Sequence, residues 1–177
     1  MPSERLVAQI TEQVGHEFAA SQQYVACAVH YDDQALPRLA AFFYAQALEE
    51  RNHALMFVQW LLDNDLVCEQ PGLPAPRSRF EGIVEPIAIA LEQERRVTDQ
   101  IVALTRTARE DGDFQAEQFL QWFLKEQTEE VATMSDLLTV ARRAADAPQW
   151  IEEHLAREGA GEGSGDPTAP PVAGGAL

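Results

Sequence analysis

Four stretches of this chain repeat apolar residues at steps of three and four, the spacing of one face of a helix. The first seam runs Leu6, Ile10, Val14, Glu17, Ser21, Tyr24, Ala28 and Tyr31. The second runs Leu39, Phe43, Gln46, Glu50, His53, Phe57 and Trp60. The third is Ile83, Ile87, Ala90, Glu94, Val97, Ile101, Leu104 and Ala108; the fourth is Ala116, Leu120, Phe123, Gln127, Glu130, Met134, Leu137 and Ala141. Each seam is interrupted near mid-length by a carboxylate or an amide. A lone buried carboxylate either takes up a proton or costs several kcal/mol. Four such interruptions at one level, with one histidine, predict a cation held between the helices.

The breakers between the seams set the element bounds. Helix 1 is predicted over about 4–31, and Pro37 suits the first turn of helix 2, which is expected to run to about Leu66. The stretch 67–80 holds Pro71, Gly72, Pro74 and Pro76, so it is a loop. Helix 3 is expected over about 81–110, with Pro86 in its first turns. Asp111-Gly112-Asp113 is a tight break whose last residue can cap helix 4, expected to run to about Ala145. Gln149–Arg157 reads as a short fifth helix, which places one bundle domain over 1–158. From Gly159 the composition is Gly, Ala, Pro and Ser without apolar periodicity, so 159–177 reads as a flexible tail.

The loop lengths predict the topology. A helix of about 28 residues is about 42 Å long, and the stretch 67–80 extends to about 46 Å. It can cross the whole bundle and leave helices 2 and 3 parallel, while the other two turns are too short to cross. The expected fold is all-α, a four-helix bundle with one long crossover between helices 2 and 3. The alternative is a simple up-down bundle with a loose loop, which the usual helix–helix links of roughly 2–8 residues disfavour.

Composition narrows the function classes. The 177 residues suit one domain, and 46% hydrophobic content argues against disorder. No apolar run approaches a membrane-spanning length, and MPSERLVAQI lacks the pattern of a signal peptide, so the expected location is cytoplasmic. Cys27 and Cys68 form no CxxC pair, which excludes a rubredoxin-type or zinc-ribbon site and fits a reducing compartment. The net charge of −16, from 29 acidic and 13 basic residues, makes nucleic acid and anionic membrane poor partners.

Glu50-Arg51-Asn52-His53 is an ExxH, and residues three apart on a helix share a face and can hold one ion. Alone the motif is weak, and Glu17, His53 or Gln127 taken singly reads as an edge carboxylate, a core histidine or a buried amide. Their joint occurrence with Glu94 and Glu130 favours a metal centre. Carboxylates with one imidazole suit iron, manganese or zinc more than copper. Helix 4 offers Gln127-Thr128-Glu129-Glu130, so a second position lacks an imidazole. A neutral amide weakens that second site, which favours iron that passes through over iron that is kept. Tyr24 lies two turns beyond Glu17, where it serves as a ligand partner, an electron donor or plain core. Trp122 beside Gln127 reads as packing. Glu49, Glu126 and Glu129 lie one residue off the seams and, with Glu130, form either a third, more exposed metal site or a solvated charged face.

Glu17, Tyr24, EERNHA at 49–54, Glu94 in LEQER and WFLKEQTEE at 122–130 together resemble a non-haem bacterial ferritin over residues 1 to about 158. The resemblance implies a first iron on Glu17, Glu50 and His53, with Glu50 bridging. It implies a second iron on Glu50, Glu94 and Gln127, with Glu130 nearby, and a third on Glu49, Glu126, Glu129 and Glu130. It also implies a hollow homo-24-mer that oxidises iron(II) with dioxygen or hydrogen peroxide and stores ferric mineral inside. Haem is not expected, because Arg51 stands where haem-binding relatives carry a methionine and the second ExxH is missing. The alternative is a soluble di-metal oxidoreductase with retained metals; a third reading is a structural or purely mineralising bundle.

The chain departs from the family pattern in places. Between Pro37 and Leu62, helix 2 carries only Glu49 and Glu50 as acids, which leaves few carboxylates to seed mineral. The tail after Gly159 has no counterpart in the basic fold. His154 reads as a four-fold pore residue by resemblance or as an ordinary surface histidine, and Glu117 is a candidate for a three-fold channel.

Overall fold

The computed structural model describes residues 1–158 and 166–175, and among these the regular structure is entirely helical. The helices are α1 (Glu4–Asp33), α2 (Pro37–Asp63), α3 (Val84–Glu110), α4 (Phe114–Arg143) and α5 (Gln149–Glu158). Arg5 at the start of α1 pairs with Glu110 and Asp111 at the end of α3, at 3.1 and 3.0 Å. The Tyr31 hydroxyl at the other end of α1 donates to the Ile83 carbonyl just before α3, at 2.6 Å. α1 is thus antiparallel to α3, so α2 and α3 run parallel, and the expected long crossover is present.

Three helix ends share one stop signal. At the ends of α1, α2 and α3 the residue after the C-cap is left-handed: Ala35, Asp65 and Gly112, with φ of 56, 57 and 70°. In each, the next N–H reaches back to the helix: Leu36 to Tyr31, Leu66 to Leu61 and Asp113 to Ala108, at 3.0, 3.0 and 2.9 Å. This is the Schellman arrangement, which satisfies the last carbonyls. It explains why α2 ends at Asp63 and not near Leu66. Leu66 continues the apolar pattern because it folds back as the hydrophobic member of the cap, not as helix.

The starts are less uniform. Ser3 and Asp113 cap α1 and α4, accepting from the N–H groups of Leu6 (3.1 Å) and Ala116 (3.0 Å). α2 has Pro37 in its first turn and no side-chain cap of its own. Its free N–H groups at Arg38 and Leu39 donate to Glu152 of α5, at 3.0 and 2.9 Å. The fifth helix therefore supplies an anion to the positive end of the second. α3 begins at Val84, three residues later than the apolar pattern predicts, because Gly82 takes φ +64° just before it.

The crossover is tied to α1. Gln23 brackets Arg77, accepting from its N–H and donating to its carbonyl, both at 2.9 Å. A Cβ at Gly15 would come within 2.7 Å of the Pro71 ring, so only glycine lets the loop pass this close to α1.

The core is split. One apolar cluster gathers Tyr24, Tyr31, Phe43, Ile87, Met134 and Ile151; the other gathers Leu6, Ile10, Phe57, Ile101, Leu120 and Phe123. Between them lies a buried polar layer. The segment 166–175 differs from the expectation of a tail without packing. Ala169 and Val172 rest on the second cluster, and the Ala173 N–H donates to the Leu55 carbonyl at 3.2 Å. Asp166 accepts from the Trp122 indole N–H (3.1 Å) and from Lys125 (3.2 Å). Residues 159–165 and 176–177 of the expected tail lie outside the described residues.

Candidate metal centre

Each helix delivers its polar residue to one level because every seam carries it near mid-length. Glu17, Glu50, His53, Glu94 and Gln127 are each at most 2% exposed, and Glu130 is 5% exposed. Such burial of carboxylates needs either protons or a cation.

Glu17, Glu50 and His53 present ligand atoms that all lie within 4.8 Å of one another. Glu50 and His53 share a face of α2, with Oε2 and Nδ1 3.6 Å apart. One oxygen of Glu17 accepts from the Gln13 amide at 2.9 Å, while its Oε2 has no hydrogen-bond partner. The Oε2 atoms of Glu50 and Glu130 are likewise buried and unpartnered. Three carboxylate oxygens without a donor, in a layer that also holds an imidazole, fit a hard or borderline divalent cation.

On the α3–α4 side, Glu94 is held from two directions. The Tyr24 hydroxyl donates to its Oε1, and the Gln127 amide donates to its Oε2 at 3.1 Å and to its carbonyl at 3.2 Å. Gln127 thus stands within hydrogen-bond reach of the carboxylate with which it is expected to share a metal.

Electrostatics follow from the packing. Burial, then the Glu50 charge, pushes the Glu17 carboxyl well above the usual carboxylate range. Burial, then Glu94 and Glu130, does the same to Glu50; burial, then Glu49, raises Glu130. Glu94 is also raised, by burial, against which Tyr24 and Gln127 pull down through their hydrogen bonds. The layer is short of positive charge, and a cation would release protons from it.

A second group joins the first through His53. Glu49, His53 and Glu126 also present ligand atoms within 4.8 Å of one another. Burial raises the half-buried Glu126 carboxyl. Gln46 donates to Glu49 at 2.8 Å. Glu129 is exposed and lies 3.8 Å from Lys125, so the described structure places it at the rim and not within this group. Glu117 is paired with Arg109 at 2.6 Å. His154 lines a surface cleft with Phe42 and Asp136 at the α5 end.

One residue at the centre is not legible in the sequence. Gln13, one turn before Glu17, orients that carboxylate; its signal was only an i,i+4 amide–acid pair. Trp122 packs as expected, and the surface it packs against is the His53 ring, edge-on with centroids 5.6 Å apart. No local pattern marks that contact, because it joins α2 to α4.

The profile of the ferritin-like domain matches residues 7–144. Over 170 residues the chain is 54% identical to ferritin BfrB of Mycolicibacterium smegmatis, covering 96% of this chain and 93% of that protein. Over 146 residues it is 34% identical to the bacterial non-heme ferritin of Staphylococcus haemolyticus, covering 82% and 88%. The open-pore ferritin of Archaeoglobus fulgidus superimposes with a TM-score of 0.85 at 23% identity, over 88% of this chain and 98% of the other, and shows the shared fold. No helix among the described residues is long and apolar enough to cross a membrane. The family match across most of the four-helix bundle, together with these identities, places this chain in the ferritin family.

Proposed function

We propose that this chain stores and detoxifies iron: it oxidises iron(II) at a di-iron centre within the subunit and deposits ferric mineral inside a hollow homo-24-mer in the cytoplasm. The observation that carries this reading is the trio of buried, unpartnered oxygens on Glu17, Glu50 and Glu130 beside His53. Glu17, Glu50 and His53 would hold one iron and Glu50, Glu94 and Gln127 the other, with Glu130 close by. Each iron pair gives two electrons to dioxygen, which takes two protons and leaves as hydrogen peroxide. With hydrogen peroxide as oxidant, the same two electrons and two protons yield two waters.

The residues divide the work. Glu17 and Glu50 neutralise the incoming charge, Gln13 and Tyr24 hold Glu17 and Glu94 in place, and the two flanking apolar clusters exclude bulk water. Gln127, a neutral amide, binds the second iron less firmly than a carboxylate would, which suits iron in transit. Glu49 and Glu126, with Glu130 behind them, would form a third iron site between the centre and the α2–α4 surface, with Glu129 at its rim and outside the group. Haem has no part in this reading, since Arg51 follows the bridging glutamate.

Iron retention tests the proposal. Excess iron(II) is added in air, the protein is separated by size exclusion, and iron per chain is counted. Tens of iron atoms per chain in a particle far larger than a monomer are expected. A plateau of about two per chain, the content of a fixed two-metal site, would mean a di-metal oxidoreductase instead.

A further inference from the structure

The α1–α3 side of the bundle carries polar residues of which the iron reading uses only Gln13. Two clefts open there, one of about 210 Å³ under Pro74 and Pro76 and one of about 110 Å³ nearer the start of α1; His16 and Gln100 line both. Between the clefts and the centre lies a pair of amides. Gln13, 2% exposed, donates to Glu17 at 2.9 Å and reaches Gln100 only loosely, at 3.4 Å. Gln93 lines the larger cleft, is 8% exposed, and its amide nitrogen has no partner; the Gln9 amide oxygen in the smaller cleft has none either. Buried amide atoms rarely stay unpartnered, and small hydrogen-bonding molecules satisfy them.

We propose that this amide-lined seam is the passage by which small neutral oxygen species, dioxygen and hydrogen peroxide, exchange with the iron centre, with Gln13–Gln100 as its narrowest point. The inference rests on the ferroxidase reading above. Amides donate and accept, so they pass water and peroxide, yet they carry no charge to hold iron(II). At the cleft mouths Arg96 pairs with Glu92 at 3.2 Å, and the exposed Glu12 carboxylate lies 3.7 Å from the His16 ring, on the solvent side of the amide pair. The opposite side, with Glu49 and Glu126 around His53, is acidic and suits the cation. Metal and oxidant thus arrive from different faces, and the Gln13 bond to Glu17 sits where the two meet.

Variants at Gln100 test the passage. Nitric oxide serves as a neutral probe for dioxygen: its association with the full-length, anaerobically iron(II)-loaded protein is followed by stopped-flow absorbance. Gln100→Trp should slow association at least about tenfold, as a blocked approach does, while cobalt(II) titration keeps its end point. Gln100→Ala should widen the seam, so that oxidation by tert-butyl hydroperoxide relative to hydrogen peroxide rises about tenfold, a ratio insensitive to how much centre is intact. Unchanged nitric oxide association in Gln100→Trp with intact cobalt binding, or an unchanged peroxide ratio in Gln100→Ala, overturns the passage. Wild-type protein that binds no iron–nitric oxide pair would instead overturn the ferroxidase reading itself. Should Gln100→Trp lose cobalt binding, the Gln100→Ala ratio decides alone.

Discussion

The indole of Trp122 stands edge-on to the imidazole of His53, and its N–H donates to Asp166, so a ligand of the candidate centre is packed against the residue that anchors the chain's end. The Asp166 carboxyl is held well below the usual range, first by the Thr168 hydroxyl and N–H and then by Lys125 and Trp122. Asp166 is therefore an anion at neutral pH, and only the Lys125 and Trp122 part of the shift reports docking, since Thr168 lies in the same segment. Asp166→Ala should release the segment 166–175 while leaving the bundle intact. Amide exchange at Ala173, whose N–H donates to Leu55, should accelerate by about fivefold or more, with little change in the exchange of core amides. Unaltered protection at Ala173 would show that Asp166 is not the anchor.

Removing a ligand should separate oxidation from assembly. Glu50→Ala and His53→Ala should each slow initial iron(II) oxidation by about 100-fold or more, since even partners of ligands are worth 10–100-fold. Particle size should stay the same, because Glu50 and His53 face inward. Rapid oxidation in either variant would sink the ferroxidase reading.

The buried carboxylates set a pH dependence. Glutamates of the unfolded chain ionise near about pH 4.3, whereas Glu17, Glu50 and Glu130 ionise well above that when folded. Between these limits the folded chain binds more protons than the unfolded chain, so this contribution to metal-free stability falls as pH rises. Glu50→Gln removes one such group. The metal-free variant should melt above wild type at about pH 8, and the gap should close towards about pH 5. A gap of equal size at both pH values would contradict this account. Zinc or cobalt(II) should raise the melting temperature of wild type more at the higher pH, because binding displaces protons.

Glu152 acts at a distance from the centre. Its carboxylate receives the free N–H groups at the start of α2, which has no cap of its own. Glu152→Ala should destabilise the bundle by about 1 kcal/mol, the usual worth of a helix cap. Glu152→Gln, which keeps an acceptor but loses the charge, should cost less. Equal melting temperatures for wild type and Glu152→Ala would mean that the cap does not hold in solution.

Periodicity, proline placement and loop length are enough to read the helices, the topology and the buried polar layer. Glu17, Glu50, His53, Glu94 and Gln127 are legible because a polar residue inside an apolar seam is a local signal, and a shared mid-length position puts four such signals at one level. The end of α2 is hidden in the sequence because Leu66 satisfies the helical pattern while serving as the return of a Schellman cap. Gln13, Gln93 and Gln100 are not legible in the sequence, because an amide beside a seam resembles any surface amide until its neighbour across the bundle is known.

The layer follows from the apolar stripes alone: they must face one another, so the polar residues within them must meet. Tertiary structure alone decided which groups within that layer and around it act together. His53 stands in two clusters that could hold an ion, Trp122 joins it to Asp166, and Glu152 caps a helix more than a hundred residues away in sequence. These contacts depend on side-chain reach across helix interfaces. Reach is fixed by the rotation and depth of packed helices, which no spacing along one chain encodes.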